Sequence, residues 1–418
     1  MAETYPIRAI TADEFAAVAE IPGQAFLESA PPEIIELERE VIEYDRTIAA
    51  FDGEQMTGCA SAYSFQLTVP GAAVAAAGIT LVSVLPTYRR RGILTALMDH
   101  LLADAADRGE PLAILFASEP GIYGRFGFGM ASIHQRLQFG PGEGQLAPGA
   151  AAHGNGTPRL RAVSPPQAQA EMASVFDAVL PLQPGMLARD GRWWHYLLND
   201  PPAGRHHGAS PLRCVIAEDD NGPRGYVLYR THSDWGQDHL PAGTIRISEL
   251  TSADAAATAA LWTDLLTRDL VSEVIAPMRP IDDPVLAMLA NPRQARPSPA
   301  DGLWVRLIDL PAALRARCYA ASADLVLEVS DEALPDNAGR WRLCIGGPDA
   351  SGTTTCERTG DPADLRLPVQ ALGAGYLGGA SFGQLAAAGH IAEVTPGALA
   401  RLGTAMSWNR SPQSPMMF

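Results

Sequence analysis

Cysteine is scarce: five residues in 418, at positions 59, 214, 318, 344 and 356. The number is odd, the spacing is wide and no C-x-x-C pair occurs. That excludes a disulfide framework and the commonest zinc-site spacings, and points to reduced thiols in a cytoplasmic protein. His206-His207 is an adjacent pair, but no cysteine or carboxylate lies at ligand spacing and Gly and Pro flank it, so a loop is expected and no metal. No apolar run reaches the ~18 residues of a membrane span. The first residues lack a positive stretch followed by an apolar one, so no signal peptide is expected. Positive charge is also short: 31 Lys and Arg against 47 Asp and Glu, a net charge of −16. That argues against nucleic acid, which needs a basic face. It suits a cationic substrate drawn to an acidic cleft, or solubility alone.

What is present is the make-up of a globular α/β protein, 47% hydrophobic and too long for one ordinary core. Three domains are expected, over residues 1–140, 159–298 and 300–418. Residues 11–46 read as helical, with Thr11-Ala12-Asp13-Glu14 as a capping signal. Thr47 to Phe51 and Met56 to Tyr63 read as a hairpin turning at Asp52-Gly53. A strand follows over Gly78 to Leu85, then a helix from Gly92 to Arg108, a strand over Leu112 to Ala117 and a loop over Ser118 to Gly129. The Gly-, Pro- and Ala-rich stretch 140–158 reads as a linker. In the third block, Trp304 to Ile308, Asp324 to Val329 and Arg340 to Ile345 read as strands, and Pro311 to Tyr319 and Leu399 to Met406 as helical. The tail from Ser407 has no periodicity.

The chain partly repeats itself. Arg213 to Arg230 (RCVIAEDDNGPRGYVLYR) parallels Arg46 to Tyr63 (RTIAAFDGEQMTGCASAY), and Ser248 to Ser252 with its following helix parallels Ser83 to Thr87 with its own. The copies differ at one informative place. The first has Arg89-Arg90-Arg91-Gly92, and the second has Asp254-Ala255-Ala256-Ala257. The second copy should therefore bind no anion there.

In the first copy a strand, a basic turn and a helix follow in order, from Val82 to Thr95. A helix start leaves backbone N–H groups unpaired, and its dipole favours negative charge. Gly92 admits close approach of a bulky phosphate, and the arginines add directed cationic donors. A diphosphate fits all three features.

This segment resembles the R/Q-x-x-G-x-G/A signature of the Gcn5-related N-acetyltransferases, with Arg89, Gly92 and Leu94 at the marked positions. Leu94 replaces the small residue usual at the last of these. The resemblance implies acetyl-CoA as cosubstrate, its diphosphate on Arg89, Arg90, Arg91, Gly92, Ile93, Leu94 and Thr95, and its pantetheine arm along the backbone of Val82 and Val84. Ala117 to Gly129 (ASEPGIYGRFGFG), Ser83 to Met98, Gly302 to Arg306, Pro311 to Arg317, Leu325 to Asp331, Tyr376 to Gly379 and the final Phe418 are similar to the Eis (enhanced intracellular survival) acetyltransferases, over essentially the whole chain. That resemblance implies two tandem acetyltransferase-like domains, the second degenerate, and a C-terminal domain shaped like sterol carrier protein. It also implies homohexamers, and acetylation of amines of aminoglycosides at several positions, of lysine side chains or of other amines. By resemblance Tyr123 is the general acid and the Phe418 carboxylate the general base, with Phe26 and Glu28 facing the substrate. Met416 and Met417 stand where relatives often carry an acid. Cys59, with Gly58 and Ala60 as neighbours, lacks a base that would make it a nucleophile. A CoA-binding sensor without enzymatic activity is the alternative.

Overall fold

A computed structural model describes residues 5–27, 31–150, 156–202, 208–346 and 354–418. Glu28 and His206-His207 lie outside them. The chain forms two compact units, one of residues 1–132, 183–188 and 301–418, the other of 133–182 and 189–300.

Nineteen strands occur among the described residues. They are β1 (Ile7–Ala9), β2 (Thr47–Asp52), β3 (Gln55–Val69), β4 (Ala72–Val84), β5 (Leu112–Phe116), β6 (Gly129–Met130), β7 (Ile133–Phe139), β8 (Arg159–Val163), β9 (Arg213–Asp219), β10 (Gly222–His232), β11 (Gly243–Ser252), β12 (Val271–Pro280), β13 (Ser298–Asp301), β14 (Leu303–Leu307), β15 (Ala323–Ser330), β16 (Gly339–Ile345), β17 (Thr355–Arg358), β18 (Leu365–Pro368) and β19 (Ala392–Glu393). The first unit holds a seven-stranded sheet, β1-β2-β3-β4-β5-β14-β6, and a five-stranded one, β17-β16-β15-β18-β19. The second unit is built on β13-β7-β12-β11-β10-β9-β8.

The segment read as helical over 11–46 divides in two. Thr11 and Glu14 form the expected capping box, and a helix runs over Phe15–Phe26. It ends at Leu27, whose φ of 61° is left-handed, and a second helix runs over Pro32–Glu38 with Pro at its first position. The hairpin turn is as read, with Gly53 at φ 60°. Its return strand runs on to Val69, further than the apolar pattern suggested. The strand at 303–307 pairs antiparallel with β5 from Leu303↔Phe116 to Leu307↔Leu112, and so completes the first sheet. The third-block helix is shorter than read, Leu310–Arg315. Part of the stretch read as a linker is ordered within the second unit. Leu146 bridges to Leu289, and Glu143 pairs with Arg296 at 2.5 Å.

The core of the first sheet's one face is filled by the helix Ile93–Asp107, through Ile93, Leu97, Met98, Leu101 and Leu102 against Ile48, Ala50, Ala60, Ala62 and Ile79. Its far end is tied by a buried ion network. Arg46 donates to Glu110 at 2.7 and 2.8 Å and to Asp104 at 3.0 Å. A pairing this complete offsets the desolvation of the guanidinium, and removing one partner would cost several kcal/mol, about 3–5.

Candidate active site

The site begins where two strands part. β4 and β5 are parallel and paired only over Ala76 to Gly78 against Leu112 to Ile114. Beyond Gly78 they separate, and Val82, Ser83 and Val84 line a cleft of about 500 Å³. A bulge helps the departure. Cys59 faces Ser83 but Ser61 faces Thr80, so two β4 residues oppose Ala60, and Leu81 takes a left-handed φ of 53°.

The basic turn lines the cleft. After a short turn at Pro86–Tyr88, Arg89 is extended, Arg90 has φ 64° and Gly92 has φ 83°. Gly92 then caps the helix Ile93–Asp107, with no side chain bonded to that end. The glycine is explained by its backbone rather than by crowding, since a Cβ there would meet nothing within 4 Å. Arg89, Arg90, Gly92, Ile93, Leu94 and Thr95 all line the cleft. Arg91 turns away: it donates to the Tyr5 hydroxyl at 3.0 Å and to the Thr87 carbonyl at 3.3 Å, and its guanidinium lies 4.8 Å above the Tyr88 ring. Arg125, not singled out from the sequence, lines the cleft as well. At the corresponding turn of the second unit, Asp254 accepts from the N–H groups of Ala256 and Ala257 at 2.9 and 3.0 Å and pairs with Arg224 at 2.7 Å. The protein's own carboxylate holds the donors a phosphate would need.

Tyr123 ends the short helix Pro120–Tyr123, within the segment read as a loop. It is 5% exposed, packs edge-on against Phe128 and lines the cleft. Burial raises its phenol pKa, partly offset by a hydrogen bond with Ser118. Ala25 and Phe26, the latter 45% exposed, also line the cleft. Arg89 reaches the Ala25 carbonyl at 3.4 Å.

The C-terminal tail arrives at the same parting of strands. Gln183 donates to the Ser411 carbonyl at 2.6 Å and Gln413 N–H to the Pro184 carbonyl at 2.8 Å. Met416 is buried. The Phe418 ring then sits 4.9 Å from Phe65, 5.5 Å from Phe116 and 6.4 Å from Tyr63. Gly78, the last β4 residue paired to β5, makes room for it: a Cβ there would lie 2.5 Å from Phe65 and 3.1 Å from Phe418. This aromatic seat was not legible in the sequence.

The site residues fall on the two faces of the sheet. Strand side chains alternate, and Ala60 and Ala62 face the helix Ile93–Asp107 together with Tyr123. Cys59, Tyr63 and Phe65, and with them Phe418, therefore occupy the opposite face, where Cys59 Sγ contacts the Val18 carbonyl of the helix Phe15–Phe26. The gap between β4 and β5 joins the two. Cys59 itself is fully buried, its thiol bonded to the Leu81 carbonyl at 3.3 Å and pushed up by burial to about 12. Among the described residues no cluster of three or more His, Cys, Asp or Glu could hold a metal, and no helix is long and apolar enough to cross a membrane.

Known proteins share this architecture. Residues 6–131 and 185–307 each match a family described as an acetyltransferase (GNAT) domain, and residues 310–415 one described as a sterol carrier protein domain. An uncharacterized N-acetyltransferase of Streptomyces avermitilis is 43% identical over 394 residues, 92% of each chain. N-acetyltransferase Eis of Mycobacterium tuberculosis is 32% identical over 409 residues, 95% of each chain. The crystal structure of Eis1 from Mycobacterium abscessus superposes with a TM-score of 0.82 at 31% identity, over 99% of this chain and all of that one.

Proposed function

The chain belongs to the Eis family of GCN5-related N-acetyltransferases, and on that premise we propose that it transfers acetyl from acetyl-CoA to primary amines of cationic substrates such as aminoglycosides. The observation that carries this is the uncapped helix start at Gly92, preceded by Arg89 and Arg90, lining the same cleft as Tyr123. Diphosphate at that turn would meet free N–H groups, a favourable dipole and two guanidinium groups. The diverging β4 backbone at Val82 and Val84 would pair with the pantetheine arm.

Acetyl-CoA supplies the acetyl thioester and is released as the thiol. The amine nitrogen bonds to the carbonyl carbon as the carbon–sulfur bond breaks, the nitrogen gives up one proton, and the sulfur gains one. Two residues are assigned to these proton transfers. The Phe418 carboxylate takes the amine's proton, a role supported by the seating of its ring against Phe65 and Phe116 where β4 and β5 part. Tyr123, which lines the cleft, gives a proton to sulfur. Its raised pKa keeps the phenol protonated at neutral pH, as a general acid must be. Direct attack is favoured over an acetylated cysteine, because the Cys59 thiol is buried and held well above neutral. Glu28 would add an acid beside Phe26. We further propose cytoplasmic location and assembly as homohexamers, both on family resemblance.

The test is thiol release from acetyl-CoA with aminoglycosides, polyamines and lysine peptides in turn. Aminoglycosides should turn over fastest and yield acetylated amine. Silence across the panel, with acetyl-CoA still bound, would make the chain a CoA sensor instead. Turnover of lysine peptides alone would move the substrate class to proteins.

A further inference from the structure

Ser83 is 4% exposed and its Oγ is buried with no hydrogen-bond partner among the described residues. An unpaired buried hydroxyl costs about 1–3 kcal/mol, so such groups are uncommon in folded proteins. Ser83 also lines the cleft. It lies between Val82 and Val84, which pack toward the helix Ile93–Asp107, so by strand alternation its side chain faces the other way. Its register partner Cys59 confirms that face, since Cys59 contacts the helix Phe15–Phe26. The Phe418 ring shares it, packed against Tyr63 and Phe65. An apolar residue of similar size would avoid this cost at the splayed end of β4, and a ligand polar group there would supply the missing partner.

We propose that Ser83 Oγ binds the attacking amine, accepting a hydrogen bond from one N–H so that the nitrogen lone pair points into the gap between β4 and β5. This rests on the acetyltransferase reading above. Ser83 takes up no proton itself; the hydroxyl orients the amine that the Phe418 carboxylate deprotonates. The side of the sheet decides the ligand. A hydroxyl serving the pantetheine arm or the sulfur would face Tyr123, and Ser83 faces away from it.

The experiment compares wild type, Ser83→Ala and Ser83→Thr in steady-state acetylation of one aminoglycoside, with acetyl-CoA affinity measured separately by calorimetry. Ser83→Ala should raise KM for the amine about tenfold, the weight of one hydrogen bond. Acetyl-CoA affinity should stay within twofold, and Ser83→Thr, which keeps the hydroxyl, should recover most of the loss. Three results would overturn the proposal: unchanged KM in Ser83→Ala, a fall in acetyl-CoA affinity with amine KM unchanged, or a fall in kcat alone, which would place the hydroxyl on the developing oxyanion. Wild-type turnover separates the two readings: an inactive wild type refutes the acetyltransferase and Ser83's role with it, whereas an active wild type with an unchanged Ser83→Ala refutes only the role of Ser83.

Discussion

Adding one glycine after Phe418 separates the two things that residue does. The ring keeps its seat between Phe65, Phe116 and Tyr63, but the carboxylate becomes an amide and the charge moves one residue on, by about 3.5 Å. A positioned general base contributes roughly 10²–10⁴ in rate, so kcat/KM for the amine should fall by that factor. Acetyl-CoA affinity should not change, because the diphosphate turn lies on other elements. Phe418→Ala probes the anchor instead. Complete burial of a phenylalanine is worth about 3–5 kcal/mol on truncation. Phe418 is only partly buried, so about 2 kcal/mol of docking is lost, at most a roughly 30-fold fall in turnover. The glycine extension should therefore hurt more than the alanine. Thiol release under saturating acetyl-CoA measures both. If the glycine-extended protein works within threefold of wild type, the terminal carboxylate is not the base.

The remaining predictions concern other parts of the site. Tyr123→Phe should lower kcat by about 10²-fold or more. In wild type no alkaline fall in rate should occur below pH ~10, because burial raises the phenol pKa; a falling limb near pH 8 would exclude Tyr123 as the acid. Gln370 donates to the Gly124 carbonyl at 2.7 Å, just after Tyr123, so Gln370→Ala should lower kcat severalfold and leave KM for acetyl-CoA alone; equal losses in both would mean plain destabilisation. Cys59→Ala should retain activity, and iodoacetamide should not label Cys59 in the folded protein. Glu38 is raised by burial from 4.5 to about 7, so its ionisation destabilises the fold. That penalty is absent below pH 4.5 and complete above pH 7. Glu38→Gln should thus gain about 1–3 kcal/mol relative to wild type between pH 5 and pH 8, by denaturant titration; no gain would place Glu38 in water.

The features legible in the sequence are those set by local order. The strand, basic turn and helix around Gly92 are contiguous, and a glycine after three arginines at the start of a helix has few structural meanings. The change to Asp254 at the second copy's turn was legible for the same reason, and the structure adds that this carboxylate caps its helix. What could not be read depends on distant pairing. Nothing near Trp304 says that its strand completes the sheet of Leu112 to Phe116. Nothing near Phe418 says that Gly78 leaves room for its ring. The inward Ser83 hydroxyl needed the bulge at Leu81 and the register of β3 to assign its face. Three arginines in a row look equivalent as letters, yet Arg91 is spent on Tyr5 and Tyr88 while its neighbours line the cleft.

Calorimetric titration of acetyl-CoA into the protein bears most directly on the proposed cosubstrate site at Arg89 to Thr95. One equivalent should bind per chain, and Arg89→Ala with Arg90→Ala should weaken it at least tenfold while the fold, by circular dichroism, is kept. Two equivalents per chain, or one equivalent whose affinity survives the loss of both arginines, would place the cosubstrate elsewhere.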